Sequence, residues 1–207
     1  MKNNWINHPI LLKGDQIELL PLEKEHLKDL FLAASNKEIW ELTSVDYSVE
    51  EIFYPNFNNA INDREKGTVY PFVIVHKQSN KIIGTTRLLE IYPNDRKVEI
   101  GVTWIMKEYW GTTVNLECKL LLLNYCFETL KSNRVQFRAK DNNLRSRKAI
   151  EKIGGVFEGI LRKDKIEPNG IPRNTAFYSI LDNDWENVRQ SIKKQIEIKA
   201  SHSDYNY

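Results

Sequence analysis

The residues best arranged for chemistry in this sequence lie between Glu99 and Asn115. Glu99-Ile-Gly-Val-Thr-Trp-Ile105 reads as a strand, Tyr109-Trp-Gly-Thr-Thr113 as a short Gly/Thr loop, and the run from Val114 as a helix. The first amides of a helix have no intrahelical acceptor and sit at the positive end of its dipole. Such a junction can therefore hold an anion, a phosphate above all. Other chemistries lack their residues. His8, His26, His76 and His202 are scattered, with no spacing that gathers metal ligands, so no metal is expected. There is no Walker phosphate loop, no Rossmann glycine fingerprint and no Gly-x-Ser-x-Gly elbow. Cys118 and Cys126 fall in an apolar helical stretch, where eight residues separate them by ~12 Å along the axis, too far to bridge. They read as small buried hydrophobes rather than nucleophiles.

These residues need a frame, and the pattern along the chain supplies one. Gln16 to Leu22 alternates as a first strand that Pro21 should end, because proline has no amide for a ladder. Leu27, Leu30, Phe31 and Ala34 have helical spacing. Ser48 with Glu51 spells a capping box opening a second helix toward Ile61, with Pro55 expected to kink or divide it. Thr68–His76, Lys81–Ile91 and Lys97–Ile105, joined by turn residues, form an antiparallel meander. A helix from Val114 to about Leu130, apolar nearly all round, must be covered on more than one side. Arg134–Ala139 is a short strand, Asp141-Asn142-Asn143 caps a helix to Ile153, and Gly154-Gly155 ends it. Val156–Ile166 and Arg173–Leu181 close the chain's sheet as a hairpin, and a helix follows from Trp185. The expectation is one α+β domain over 1–207, with its core at about 16–188, a C-terminal helix at 185–199 and a disordered tail at 200–207.

Composition bounds the partners. The 207 residues are 41% hydrophobic, enough for one sizeable core. Thirty Lys and Arg against 28 Asp and Glu leave +2, without a basic run, which argues against nucleic acid and against a membrane surface. Met1–Trp5 lacks the apolar core of a signal peptide, and Glu117, Lys119, Asn124 and Glu128 interrupt the most apolar stretch. A soluble, reduced, cytoplasmic protein is expected.

Three stretches resemble the GNAT superfamily of acetyl-CoA-dependent N-acetyltransferases, in its RimJ/RimL-like branch. Lys97–Ile105 is similar to the family's fourth strand, Tyr109–Lys119 to its pyrophosphate loop and following helix, and Asn143–Gly154 to its Asn-x-x-Ser segment. The resemblance implies a mixed, largely antiparallel sheet of about seven strands with helices on both faces. It also implies a splay between the fourth and fifth strands, here Lys97–Ile105 and Arg134–Ala139. Acetyl-CoA would be the co-substrate and a primary amine, on a protein N-terminus or a small molecule, the acceptor. A monomer or a homodimer is compatible with it.

The resemblance also distributes roles. Glu99 would accept the proton of the attacking amine, directly or through water; alternatively it is a strand-edge salt bridge. Backbone N–H groups near Trp104 and Ile105 would hold the oxyanion. Gly111, Thr112, Thr113, Val114 and Asn115 would cradle the pyrophosphate, and Asn143 would hold the pantetheine arm. Ser146 would protonate the leaving thiolate, or else cap the helix after Asn143. Two positions depart from the family: Thr113 replaces a glycine, and Ile150 stands where many relatives carry a tyrosine. The favoured account of Thr113 keeps its backbone at negative φ and lets its hydroxyl donate to phosphate. The rival to a transferase is an inactive acyl-CoA-binding sensor or scaffold, motivated by these two departures.

Overall fold

Alternation builds the centre of the molecule. A computed structural model describes residues 5–203. In its strand β3 (Tyr70–His76), Tyr70, Phe72 and Ile74 turn to one face and Val73 and Val75 to the other, all buried, so both faces must be covered. The other strands are β1 (Leu12–Lys13), β2 (Ile17–Pro21), β4 (Lys81–Tyr92), β5 (Lys97–Ile105), β6 (Arg134–Lys140), β7 (Val156–Ile166) and β8 (Pro172–Leu181). They form one sheet in the order β1-β2-β3-β4-β5-β6-β8-β7, in which only β5 and β6 pair in parallel. The eighth strand beyond the expected seven is β1, whose two residues are too few to show a period. Pro21 is the last residue of β2, as its missing amide requires.

Helices α1 (Leu27–Ala33) and α2 (Glu50–Glu65) cover one face, burying Leu30, Phe53 and Phe57 with Val73, Val75 and Trp104. Helices α3 (Val114–Asn124), α4 (Leu144–Lys152) and α5 (Trp185–Ser203) contribute Leu122, Ile150 and Ile192 to the larger core on the other. The helix expected to run to Leu130 widens after Asn124 into a π turn over Tyr125–Thr129. Gly154 and Gly155 end α4 as expected: Gly154 sits at φ +92°, and their amides donate to Glu151 and Ile150 carbonyls.

Three expectations change. Ser48 does not cap α2; its hydroxyl and amide both donate to the nearer Asp46 carboxylate, and Val49 takes the cap position. Pro55 does not divide α2, which runs unbroken from Glu50 to Glu65 around it at the cost of one backbone bond. The tail expected at 200–207 continues α5 through Ser203, while 204–207, like Met1–Asn4 of the N-terminal reading, lie outside the described residues. Among the described residues no helix is long and apolar enough to cross a membrane, and no group of His, Cys, Asp and Glu could hold a metal ion.

Two local features make the site. β5 and β6 pair only through Lys97↔Arg134, Val98↔Val135 and Glu99↔Gln136; beyond Glu99 they part, which is the expected splay. On its other edge β5 carries a bulge. Thr85 pairs with Trp104 and Arg87 with Gly101, so Thr86 alone faces both Val102 and Thr103.

Candidate active site

A cavity of about 580 Å³ occupies the opening between β5 and β6. One wall is β5 itself, from Glu99 to Ile105; the others come from β6, the start of α4, the segment Ile39–Tyr47 before α2, and the loop into α3. Of the residues singled out from the sequence, Glu99, Trp104, Ile105, Gly111, Asn115, Asn143 and Ser146 all face this space, and Thr112, Thr113 and Val114 do not.

Glu99 stands at the apex, on the last paired position before the strands separate, with its side chain 4% exposed. Gln136 and Arg138, two apart on β6, both reach it on the same oxygen: Gln136 Nε2 donates to Oε2 at 3.0 Å and Arg138 Nε pairs with it at 2.5 Å. The second oxygen, Oε1, points along β5, where a methyl on Gly101 would come within 3.1 Å of it. The salt-bridge role is thus present, and it holds one oxygen of the carboxylate while the other stays beside the β5 wall. Arg138 is also paired with Glu90 at 3.5 Å; burial opposes its charge, but the Glu99 and Glu90 carboxylates outweigh it and raise the guanidinium above its ordinary value.

The loop into α3 has the chemistry of an anion site. Gly111 sits at φ +76° with open space where a Cβ would be, so conformation alone calls for glycine there. The first backbone bond of the helix runs from the Glu117 amide to the Thr113 carbonyl, 2.9 Å. The Asn115 and Leu116 amides before it take no backbone acceptor among the described residues, as helix starts require. The Thr112 hydroxyl donates to the Tyr109 carbonyl at 2.7 Å and accepts from the Val114 amide at 3.3 Å, stiffening the loop.

Thr113 keeps φ at −78°, so the β-branched side chain is unstrained where the family has glycine. Its hydroxyl, however, is turned the other way, accepting from Gln16 Nε2 at 2.7 Å, and its side chain is not part of the cavity wall. The expected donation to a phosphate is therefore not what this side chain is placed to do. Gln16 and its neighbour Asp15 also give their amides to buried Glu117, which docks the β1–β2 turn on α3.

At the opposite wall, Asn143 caps α4: its Oδ1 accepts from the Ser146 amide at 2.9 Å, and its Nδ2 donates to the Leu42 carbonyl at 3.0 Å. Capping thus belongs to Asn143 rather than Ser146, and much of the Asn143 amide is committed to the fold. The Ser146 hydroxyl, half-buried on the cavity wall, takes no hydrogen bond among the described residues. Ile150 faces the same space with an apolar side chain, so no phenol replaces it at that point.

Trp104 and Trp40 meet edge-to-face at 5.2 Å, and with Tyr47 they make the α2 side of the cavity aromatic. Trp110 donates its indole N–H to the Ile105 carbonyl at 2.9 Å and carries the Arg145 guanidinium 4.2 Å above its ring. Both cysteines are free and fully buried; burial pushes the Cys118 thiol up to about 11 and raises Cys126 as well, which makes them poor nucleophiles.

Sequence reasoning passed over two side chains at this site. Arg138 was invisible as a Glu99 partner because the register between β5 and β6 is not written in either strand. Lys119 was read only as an interruption of an apolar run, yet a lysine inside a helix that is apolar all round needs a partner. It has one in Thr103, across the cavity wall.

Comparison with known proteins gives the arrangement its relatives. A family model described as an acetyltransferase (GNAT) domain matches residues 16–156. YjcK of Bacillus subtilis (strain 168), provisionally named an N-acetyltransferase, is 28% identical over 181 residues, covering 85% of this chain and 99% of YjcK. YdaF of the same organism, provisionally named a ribosomal N-acetyltransferase, is 33% identical over 126 residues, covering 61% of this chain and 63% of YdaF. The crystal structure of a GCN5-related N-acetyltransferase from Brucella melitensis superposes with a TM-score of 0.82 at 26% identity, covering 90% of this chain and 85% of that one.

Proposed function

The chain belongs to the GNAT acetyltransferase family, as an acetyl-CoA-dependent acyltransferase, and from that premise we propose that it is of the RimJ/RimL-like branch and acetylates a primary amine by direct attack in a ternary complex. The observation that carries this reading is Glu99, held by β6 at the apex of the cavity with one oxygen left beside the β5 wall.

In this proposal the acceptor enters from the aromatic side, between Trp40, Tyr47 and Trp104, and acetyl-CoA lies along the opening with its pyrophosphate at the α3 amides. The amine nitrogen forms a bond to the thioester carbonyl carbon, and its proton passes to Glu99, directly or through one water. The carbon–sulfur bond then breaks, and the thiolate takes a proton from the Ser146 hydroxyl; water reprotonates Ser146 while Glu99 returns its proton to water, which closes the cycle. No covalent enzyme intermediate is needed, in keeping with two buried cysteines. The word ribosomal in the name that YdaF carries favours an amine on a protein over a small amine as acceptor, and a protein N-terminus is the form we propose. A cytoplasmic setting is part of the proposal, and two free cysteines support it.

The test is to incubate the purified protein with isotope-labelled acetyl-CoA and a cell extract and to identify labelled products by mass spectrometry. Labelled protein N-termini are expected. Labelled small amines alone would move the acceptor to that class. Tight binding of acetyl-CoA with no labelled product would overturn the transferase reading in favour of a sensor.

A further inference from the structure

Lys119 is a cation in an unusual place. It is 7% exposed, in a helix whose neighbouring residues Leu116, Cys118 and Leu122 belong to the core, and it forms no ion pair among the described residues. Burial holds its amine below the ordinary lysine range. A leucine would fill such a position without the cost of dehydrating an amine. What Lys119 does instead is reach the strand across the cavity wall, where its Nζ donates to Thr103 Oγ1 at 2.6 Å.

Thr103 Oγ1 also lies 2.8 Å from Thr86 Oγ1. With one proton and two lone pairs, the Thr103 hydroxyl accepts from Lys119 and also pairs with Thr86, in which either hydroxyl can donate. The result is a hydrogen-bonded chain Lys119–Thr103–Thr86 that spans from α3 through β5 to β4. It crosses β5 at the bulge, where Thr86 faces two residues, and next to Val102, which sits at φ +47°. A β-branched residue in the left-handed region is strained, and such a conformation persists only where its surroundings over-determine it.

We propose that Lys119 is a positioning residue: through Thr103 it clamps the β5 bulge and so keeps the backbone from Val102 to Ile105 aimed at the reacting group. The inference rests on the proposed acetyl transfer for its consequence, but the clamp itself is a property of the protein alone. Holding donors in register is worth rate rather than affinity, because they matter most when charge develops on the oxygen.

The test uses four variants: Lys119→Met, Thr103→Val, Thr103→Ser and the Lys119→Met/Thr103→Val double. Lys119→Met and Thr103→Val should each lower kcat by about tenfold to a hundredfold while acetyl-CoA KM stays within about threefold. The double variant should be no worse than the poorer single one, since both break the same chain. Thr103→Ser, which keeps the hydroxyl, should restore kcat to within about threefold of wild type. Amide hydrogen exchange over residues 100–105, measured without substrate, should quicken in Lys119→Met and Thr103→Val and stay unchanged over β2 and β3. Should Lys119→Met not fold, Thr103→Val and its serine rescue carry the comparison. The proposal is overturned by kcat within about twofold of wild type, by multiplicative losses in the double variant, by a rise in KM alone, or by unaltered exchange at 100–105. If the wild type transfers no acetyl group at all, the transferase reading has failed, and the exchange experiment still decides the clamp.

Discussion

The two strands that open the cavity reach it by opposite means. β6 is regular: Val135, Phe137 and Ala139 face the core while Gln136, Arg138 and Lys140 alternate outward, and it holds its register with β8 from Arg134 to Lys140. β5 is irregular: it shifts register against β4, carries Val102 at φ +47°, and presents seven consecutive residues, Glu99–Ile105, to one cavity. The regular strand supplies side chains at fixed intervals, which is how Gln136 and Arg138 come to meet one carboxylate oxygen. In the proposed reaction the bulged strand supplies the backbone N–H groups that meet the oxyanion. The proposed acyl transfer uses both, a fixed proton acceptor and aimed N–H donors.

Crowding on the β5 side offers the largest break in this contrast. A methyl on Gly84 would fall on the Trp104 carbonyl oxygen and within 2.9 Å of the Ile105 Cα. Gly84→Ala should therefore force β4 from β5 and cost about 3 kcal/mol, read by urea denaturation. A loss under about 1 kcal/mol would mean that the β5 edge yields easily and is not a fixed wall.

On the β6 side, Arg138→Met removes the guanidinium from Glu99 and should lower kcat about tenfold, with acetyl-CoA KM little changed. Gln136→Met should cost less, about threefold, because its neutral amide is the weaker donor. Equal kcat in all three proteins would show that the regular strand does not orient the carboxylate.

Two smaller effects sharpen the comparison. Thr113→Val should lose the bond from Gln16, about 1 kcal/mol of stability, and leave acetyl-CoA affinity within about twofold, since that side chain faces away from the cavity. A clear loss of affinity in calorimetry would return the hydroxyl to the phosphate site. Val102→Gly should be neutral or stabilising by up to ~1 kcal/mol, because relief of left-handed strain offsets the added chain entropy of glycine. Any loss above ~1 kcal/mol by thermal denaturation would mean that the valine side chain contributes more packing than its backbone contributes strain.

Much of this frame was legible before any coordinate. Alternation marked β2, runs bounded by turn residues marked β3, β4, β5 and the closing hairpin, and the glycine pair marked the end of α4, because period and turn chemistry are local. The resemblance to the GNAT family, rather than local pattern, singled out Gly111, Asn115, Asn143 and Ser146, which the structure brings around one cavity. What stayed hidden depends on distant pairings. Ser48 is a local exception: it had the spacing of a cap, but the Asp46 carboxylate two residues earlier takes both its hydroxyl and its amide. Thr113 showed its residue type but not its orientation, which Gln16 decides from another part of the chain. The Arg138–Glu99 pair and the Lys119–Thr103–Thr86 chain need the β5–β6 register and the β5 bulge, and neither leaves a period in the sequence.

The most direct measurement of the central claim is the pH profile of turnover for wild type and Glu99→Gln. Gln keeps the shape of the side chain and cannot take a proton, so turnover should fall at least about tenfold near neutral pH with acetyl-CoA affinity nearly unchanged. The deficit should shrink at alkaline pH, where the acceptor amine has already lost its proton to solvent. Turnover equal to wild type from about pH 6 to about pH 9 would remove Glu99 from the reaction and leave it only the ion pair with Arg138.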